Sequence, residues 1–114
     1  MARAIDRVTV LLLFILGCVH NFIAAPMFHD RLDAPLLWFL TGGITLWFAA
    51  AINFWRLRAG NDHVAQWTIL SCNLALLAFV LLFACVEGSY ARADSLLLIA
   101  IVAWLSARSV PRRA

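Results

Sequence analysis

Four apolar runs decide what this chain can fold into. Residues 8–25, 36–55, 64–86 and 95–107 contain no Asp, Glu, Lys or Arg, and all the formal charge lies in the breaks around them. A membrane-spanning helix needs roughly 20 such residues. Of the 114 residues, 65% are hydrophobic and 13% are charged. Soluble domains run near 45–50% and 25%. A chain this short buries too small a fraction of its surface to hide that excess in water, and it is too apolar to stay disordered.

Inside hydrocarbon every backbone N–H and C=O must be paired within the segment, so each run is expected to be a helix. Pro26 is expected to close the first. Pro35 opens the second, at a position where its missing N–H costs nothing. Asn61 or Asp62 is expected to cap the third and Asp94 or Ser95 the fourth. The fourth run reaches spanning length only if residues 93–109 are helical, with Arg92, Asp94 and Arg108 snorkelling to the interfaces. These features point to an all-α integral membrane protein. Residues 1–114 form one transmembrane domain, a four-helix bundle with up-down-up-down topology. Its spans are expected near 8–25, 36–55, 64–86 and 93–109.

The start also resembles a secretory leader. Arg3 and Arg7 precede an apolar stretch, and Ile15-Leu16-Gly17-Cys18 resembles a lipobox. The chain stays apolar past Cys18 through Phe22, Ile23 and Ala25, which favours a retained span. Ile69-Leu70-Ser71-Cys72 echoes the same four positions in the third helix. Cys18, Cys72 and Cys85 are odd in number and form no CxxC pair, so they are expected to be small buried hydrophobes.

Orientation follows from arginine, the chain's entire basic set. Arg3, Arg7, Arg56, Arg58, Arg108, Arg112 and Arg113 fall on one side of a four-span layout, against Arg31 and Arg92 on the other. The positive-inside rule then places both termini in the cytoplasm, N-in and C-in, with a bacterial inner membrane as the expected site. Asp30, Asp33, Glu87 and Asp94 face out, whereas Asp6 and Asp62 face in. Trp38, Trp55 and Trp67 suit the interfacial belts, and Trp47 lies mid-span. The net charge of +3 is a topology signal; it forms no basic patch interleaved with aromatics, so no nucleic-acid partner is expected.

Within lipid the polar and small residues carry the information. Gly17, His20, Asn21 and Ala24 share a face of the first helix. Gly42, Thr45, Ala49, Asn53 and Arg56 form a stripe on the second, with Gly43 beside it. Gln66, Asn73, Val80 and Glu87 repeat by seven on the third, as do Ala93, Ala100 and Ala107 on the fourth. Each stripe is expected to turn inward. The bland outcome is close packing with interhelical hydrogen bonds. The functional outcome is a ligand or transport path lined by His20, Asn21, Thr45, Asn53, Asn73 and Glu87. His20 is the sharpest residue, because imidazole titrates near neutral pH and can relay protons or bind metal. A weak nitrogen and oxygen metal site could use His20, His29 and Glu87; otherwise a neutral His20 bonds a backbone carbonyl, Asn21 or Asn73. A bis-histidine haem lacks a second histidine inside a span.

No P-loop, GxSxG or GxGxxG motif is present, and no nucleophile has a base at its depth. No enzymatic role is expected and no cofactor can be named. The size and layout are similar in architecture to the small multidrug resistance transporters. Those carry a glutamate in the first span, whereas residues 8–25 contain no carboxylate, so no family follows. The leading expectation is a small non-enzymatic membrane protein acting through helix packing, as an accessory subunit or homo-oligomer. Its partners would be the bilayer and a homodimer or larger membrane complex. The alternatives are a dimeric proton-coupled transporter of a small solute and a membrane metal or ligand sensor using His20.

Overall fold

A computed structural model describes residues 1–89 and 91–111. The orientation signals expected of Arg112 and Arg113 therefore lie outside the described residues, as does Tyr90. All regular structure among the described residues is helical. Helix α1 (Ala2–Cys18) runs into a π-helical turn (Val19–Ala24) and a short α2 (Ala25–Phe28). Helices α3 (Ala34–Arg58), α4 (His63–Val86) and α5 (Ala93–Ser109) follow.

The first rod, Ala2–Phe28, together with α3 and α4, is long and apolar enough to cross a membrane, at 27, 25 and 24 residues. Helix α5 covers all of residues 93–109; at about 1.5 Å per residue it is roughly 25 Å long, the short end of spanning length. Large apolar side chains are turned outward along the helices, among them Leu11, Phe14, Phe22, Phe48, Phe79, Leu82 and Phe83. Phe79 and Phe83 stack on one another on that outer surface of α4. The fully buried positions include polar Asn53, Asn73 and Asp6 beside Leu13, Ile69, Val102 and Leu105. Apolar surface outside, amides inside and three helices of spanning length point to a membrane-embedded protein, since water-soluble chains rarely expose so much apolar surface.

The helix ends follow local chemistry. Asp33 Oδ1 accepts the Leu36 N–H at 2.9 Å and caps α3, one residue before Ala34-Pro35. Asp62 caps α4 as expected, accepting from the Ala65 N–H at 3.1 Å. After α4 the chain turns left-handed at Gly88, φ +64°. The Ser89 N–H then donates to Ala84 O and the Gly88 N–H to Cys85 O. This pairing is a Schellman close, which a residue with a Cβ disfavours. The expected cap of α5 is not made: Arg92 occupies the N-cap without a side-chain bond. Asp94 instead takes a two-pronged ion pair from Arg92, at 3.1 and 2.7 Å, on the exposed surface.

Two compact units divide the chain, Met1–Ala51 and Ile52–Ala114. In the first, the buried line of α1 is Asp6, Thr9, Val10, Leu13 and Gly17. Asp6, expected in the inner flank, is thus a buried helical residue. In the second, α4 and α5 pack along their length, burying Ala65, Ile69, Leu70, Asn73, Val80 and Ala84 of α4. The buried face of α5 is Ile101, Val102, Leu105, Ser106 and Ser109. Ala93, Ala100 and Ala107 are exposed, so the expected inward alanine stripe is corrected. Burying the larger Val102 and Leu105 removes more apolar area than burying alanines, and that choice sets the rotation of α5. Cys72 and Cys85 are exposed and Cys18 half-buried, so the expectation of buried thiols is corrected as well.

Candidate functional site

Two polar contacts between helices, one in each unit, hold the residues singled out by chemistry. In the first unit the helix does not stop at Pro26 but continues to Phe28. Proline lacks an N–H, and its ring crowds the carbonyl four residues back. The wider π-helical turn just before it relieves that crowding, with the Ala25 N–H reaching back to His20 O. Such turns are commonly found at functional positions.

The turn brings the consecutive residues His20 and Asn21 against the consecutive glycines Gly42 and Gly43 of α3. His20 Nε2 donates to Phe39 O at 2.8 Å. A carbonyl only accepts, so Nε2 carries the hydrogen. The imidazole also stacks on the Phe39 ring, with centroids 4.1 Å apart and planes 8° from parallel. His29 lies on the same phenyl ring at 5.1 Å, tilted by 55°.

Asn21 is 9% exposed and is pressed against Gly43. Deeper in the span, Trp47 covers Gly17 and sits near Phe14 and Phe22. No side chain fits at these glycines. A Cβ on Gly17 would lie 2.6 Å from Trp47 Nε1 and 2.9 Å from Gly43 O. One on Gly42 would lie 2.9 Å from His20 Nε2, and one on Gly43 would overlap the Asn21 amide. The glycines therefore set how closely the two helices approach.

In the second unit an amide pair joins α3 to α4. Asn53 Nδ2 donates to Asn73 Oδ1 at 2.7 Å, and Asn73 Nδ2 returns a bond to Asn53 Oδ1 at 2.9 Å. Asn73 Nδ2 also donates to Ser109 Oγ of α5 at 2.9 Å, and that hydroxyl donates to Leu105 O at 2.6 Å. Asn53, Asn73 and Ser109 are 0%, 2% and 2% exposed. Three helices thus share one closed network in a medium that offers no replacement partners.

Other expected site residues lie elsewhere. Thr45 is exposed, and its Oγ1 donates to Thr41 O of its own helix at 2.7 Å. Thr68 and Ser71 bond back in the same way on α4. Glu87 is exposed at the C-cap of α4. Among the described residues no three His, Cys, Asp or Glu side chains come together to hold a metal ion. The expected set of His20, His29 and Glu87 is therefore not assembled. The two echoing tetrapeptides differ in setting, because Ile15 is 44% exposed and Ile69 is 0%.

Sequence reasoning missed Ser109, Phe39 and the role of Trp47. Ser109 left a usable signal, for it follows Ser106 and Leu105 at helical spacing. The carbonyl of Phe39 left none, since any residue supplies one. Comparison with protein-family models, curated proteins and solved structures finds no match to this chain.

Proposed function

We propose that this chain is a small non-enzymatic multi-pass membrane protein that works through helix–helix contact, as an accessory subunit of a membrane complex or as a homo-oligomer. One observation carries the reading. Four of the polar side chains in the spans make contacts between the chain's own helices, His20 on Phe39 O and Asn53, Asn73 and Ser109 in one network. Small outward faces, meanwhile, remain uncovered. Thr68, Ser71, Ala75 and Ala78 are exposed along α4, as are Ala93, Ala100 and Ala107 along α5. In a bilayer, faces of small residues let another helix approach closely.

The proposed setting is a bacterial inner membrane crossed four times, up-down-up-down, with both termini cytoplasmic. Arginine asymmetry supports the orientation. The alternation is supported within the second unit, where Arg56 Nη1, near the end of α3, donates to Arg108 O near the end of α5 at 3.2 Å.

Cross-linking tests the proposal. A chain with Cys18, Cys72 and Cys85 replaced by Ala carries a photoreactive group at Ala75 or Ala100. Irradiation in native membranes is expected to give a dimer of this chain or a discrete adduct with one other membrane protein. Lipid adducts alone at both positions would overturn the reading.

A further inference from the structure

In the first unit, helix α1 carries charge and apolar surface on one outward face. Arg3, Arg7, Leu11 and Phe14 recur at i, i+4, i+8 and i+11, so they line up along the helix. All four are exposed, Leu11 at 56% and Phe14 at 50%. Asp6 lies between the two arginines in sequence but is turned inward. It is 1% exposed and belongs to the buried line with Val10 and Leu13. Among the described residues neither the Arg3 nor the Arg7 side chain has an ion pair or hydrogen bond. The outward face therefore presents two cations and no anion at the head of an apolar stripe.

We propose that this face binds one anionic phospholipid, its phosphate held between Arg3 and Arg7 and one acyl chain lying along Leu11 and Phe14. Residues four apart on a helix have Cβ atoms about 5–6 Å apart, close enough for both guanidinium groups to reach one phosphate. Guanidinium suits phosphate because its paired N–H groups match the phosphate oxygens. The long arginine stems carry the charge to headgroup level while the helix stays beside the chains. Phe14 lies about 10 Å farther along than Arg7 at 1.5 Å per residue, inside the ~15 Å half-thickness of the hydrocarbon core. The apolar stripe selects a lipid over a free phosphate. The uncompensated charge selects an anionic headgroup over a zwitterionic one, which brings its own cation to the arginines.

The test uses the full chain reconstituted from detergent into phosphatidylcholine nanodiscs, with Trp38, Trp55, Trp67 and Trp104 replaced by Phe. The remaining Trp47 lies near Phe14, ring centroids 6.4 Å apart, and reports lipid at that level. Phosphatidylglycerol or phosphatidylcholine brominated at mid-chain is titrated in, and the ratio of their half-quenching mole fractions is read. A basic residue near an anionic surface contributes about fivefold, so a preference of about 25-fold for phosphatidylglycerol is expected. Arg3→Gln or Arg7→Gln should lower it to about fivefold, and the double variant should abolish it. Arg58, stacked on Phe54 in the second unit, is the control: Arg58→Gln keeps the preference.

A measurement on the unaltered arginines stands beside the variants should one of them fail to fold. Salt at about 1 M shortens the screening length to about 3 Å and is expected to erase most of the preference. Equal quenching by the two lipids, or a preference that survives both the double variant and high salt, would overturn the proposal.

Discussion

Replacing Asn73 with Leu keeps the branching at Cγ and removes every hydrogen bond the amide makes. Those are three short bonds, two exchanged with Asn53 at 2.7 and 2.9 Å and one of 2.9 Å to Ser109 Oγ, with a long 3.5 Å contact to Leu105 O beside them. Interhelical bonds in membranes average about 0.6 kcal/mol and reach about 1.7, so three sum to roughly 2–5 kcal/mol. The value should lie in the upper half of that range. Asn53 is 0% exposed, so solvent cannot replace the two bonds it loses, and a buried amide with fewer partners adds to the cost. Asn53→Leu should cost a similar amount. The double variant removes both amides together and leaves fewer stranded polar groups. It should therefore cost little more than either single change, a coupling of roughly 3 kcal/mol or more. The assay is reversible unfolding in mixed micelles with rising dodecyl sulfate fraction, followed by tryptophan fluorescence. Costs that add to within about 0.5 kcal/mol, the behaviour of independent sites, would refute the network.

Three further outcomes follow from the same contacts. Gly43→Ala places a methyl on the Asn21 amide and should cost about 1–3 kcal/mol in the same unfolding assay, as overpacking does; adding Asn21→Ala should recover most of it. His20→Phe keeps a ring on Phe39 but loses the 2.8 Å bond to its carbonyl, and should cost about 1 kcal/mol. In the cysteine-free chain, Asn61→Cys should react with a membrane-impermeant maleimide only after the membrane is opened, and Asp30→Cys in intact cells; the reverse pattern would invert the proposed orientation.

The long apolar helices are legible because lipid demands uninterrupted apolar length, and that demand is written residue by residue. Which face of each helix turns inward is less legible, because in lipid polarity no longer separates inside from outside. Thr45 shows why: a hydroxyl can bond the preceding turn of its own helix, so it need not face a neighbour. Ala93, Ala100 and Ala107 show it again, since alanine is as much at ease against lipid as against a helix. Asn53 and Asn73 were readable because a side-chain amide has more bonding groups than its own helix can satisfy. The π-helical turn was hidden, as it arises from the conflict between Pro26 and a helix long enough to continue past it. The stacking of His20 on Phe39 depends on that turn, so a straight-helix reading could place His20 on a face but could not name its partner.

The central claim is that His20 and the Asn53–Asn73–Ser109 network join helices and do not form a path. The most direct test reconstitutes the purified chain into liposomes and follows an internal pH dye under an imposed proton gradient and potential. Flux indistinguishable from empty liposomes, for the wild-type chain and His20→Ala alike, is the predicted result. Proton flux well above that background, abolished by His20→Ala, would contradict the account and favour the transporter.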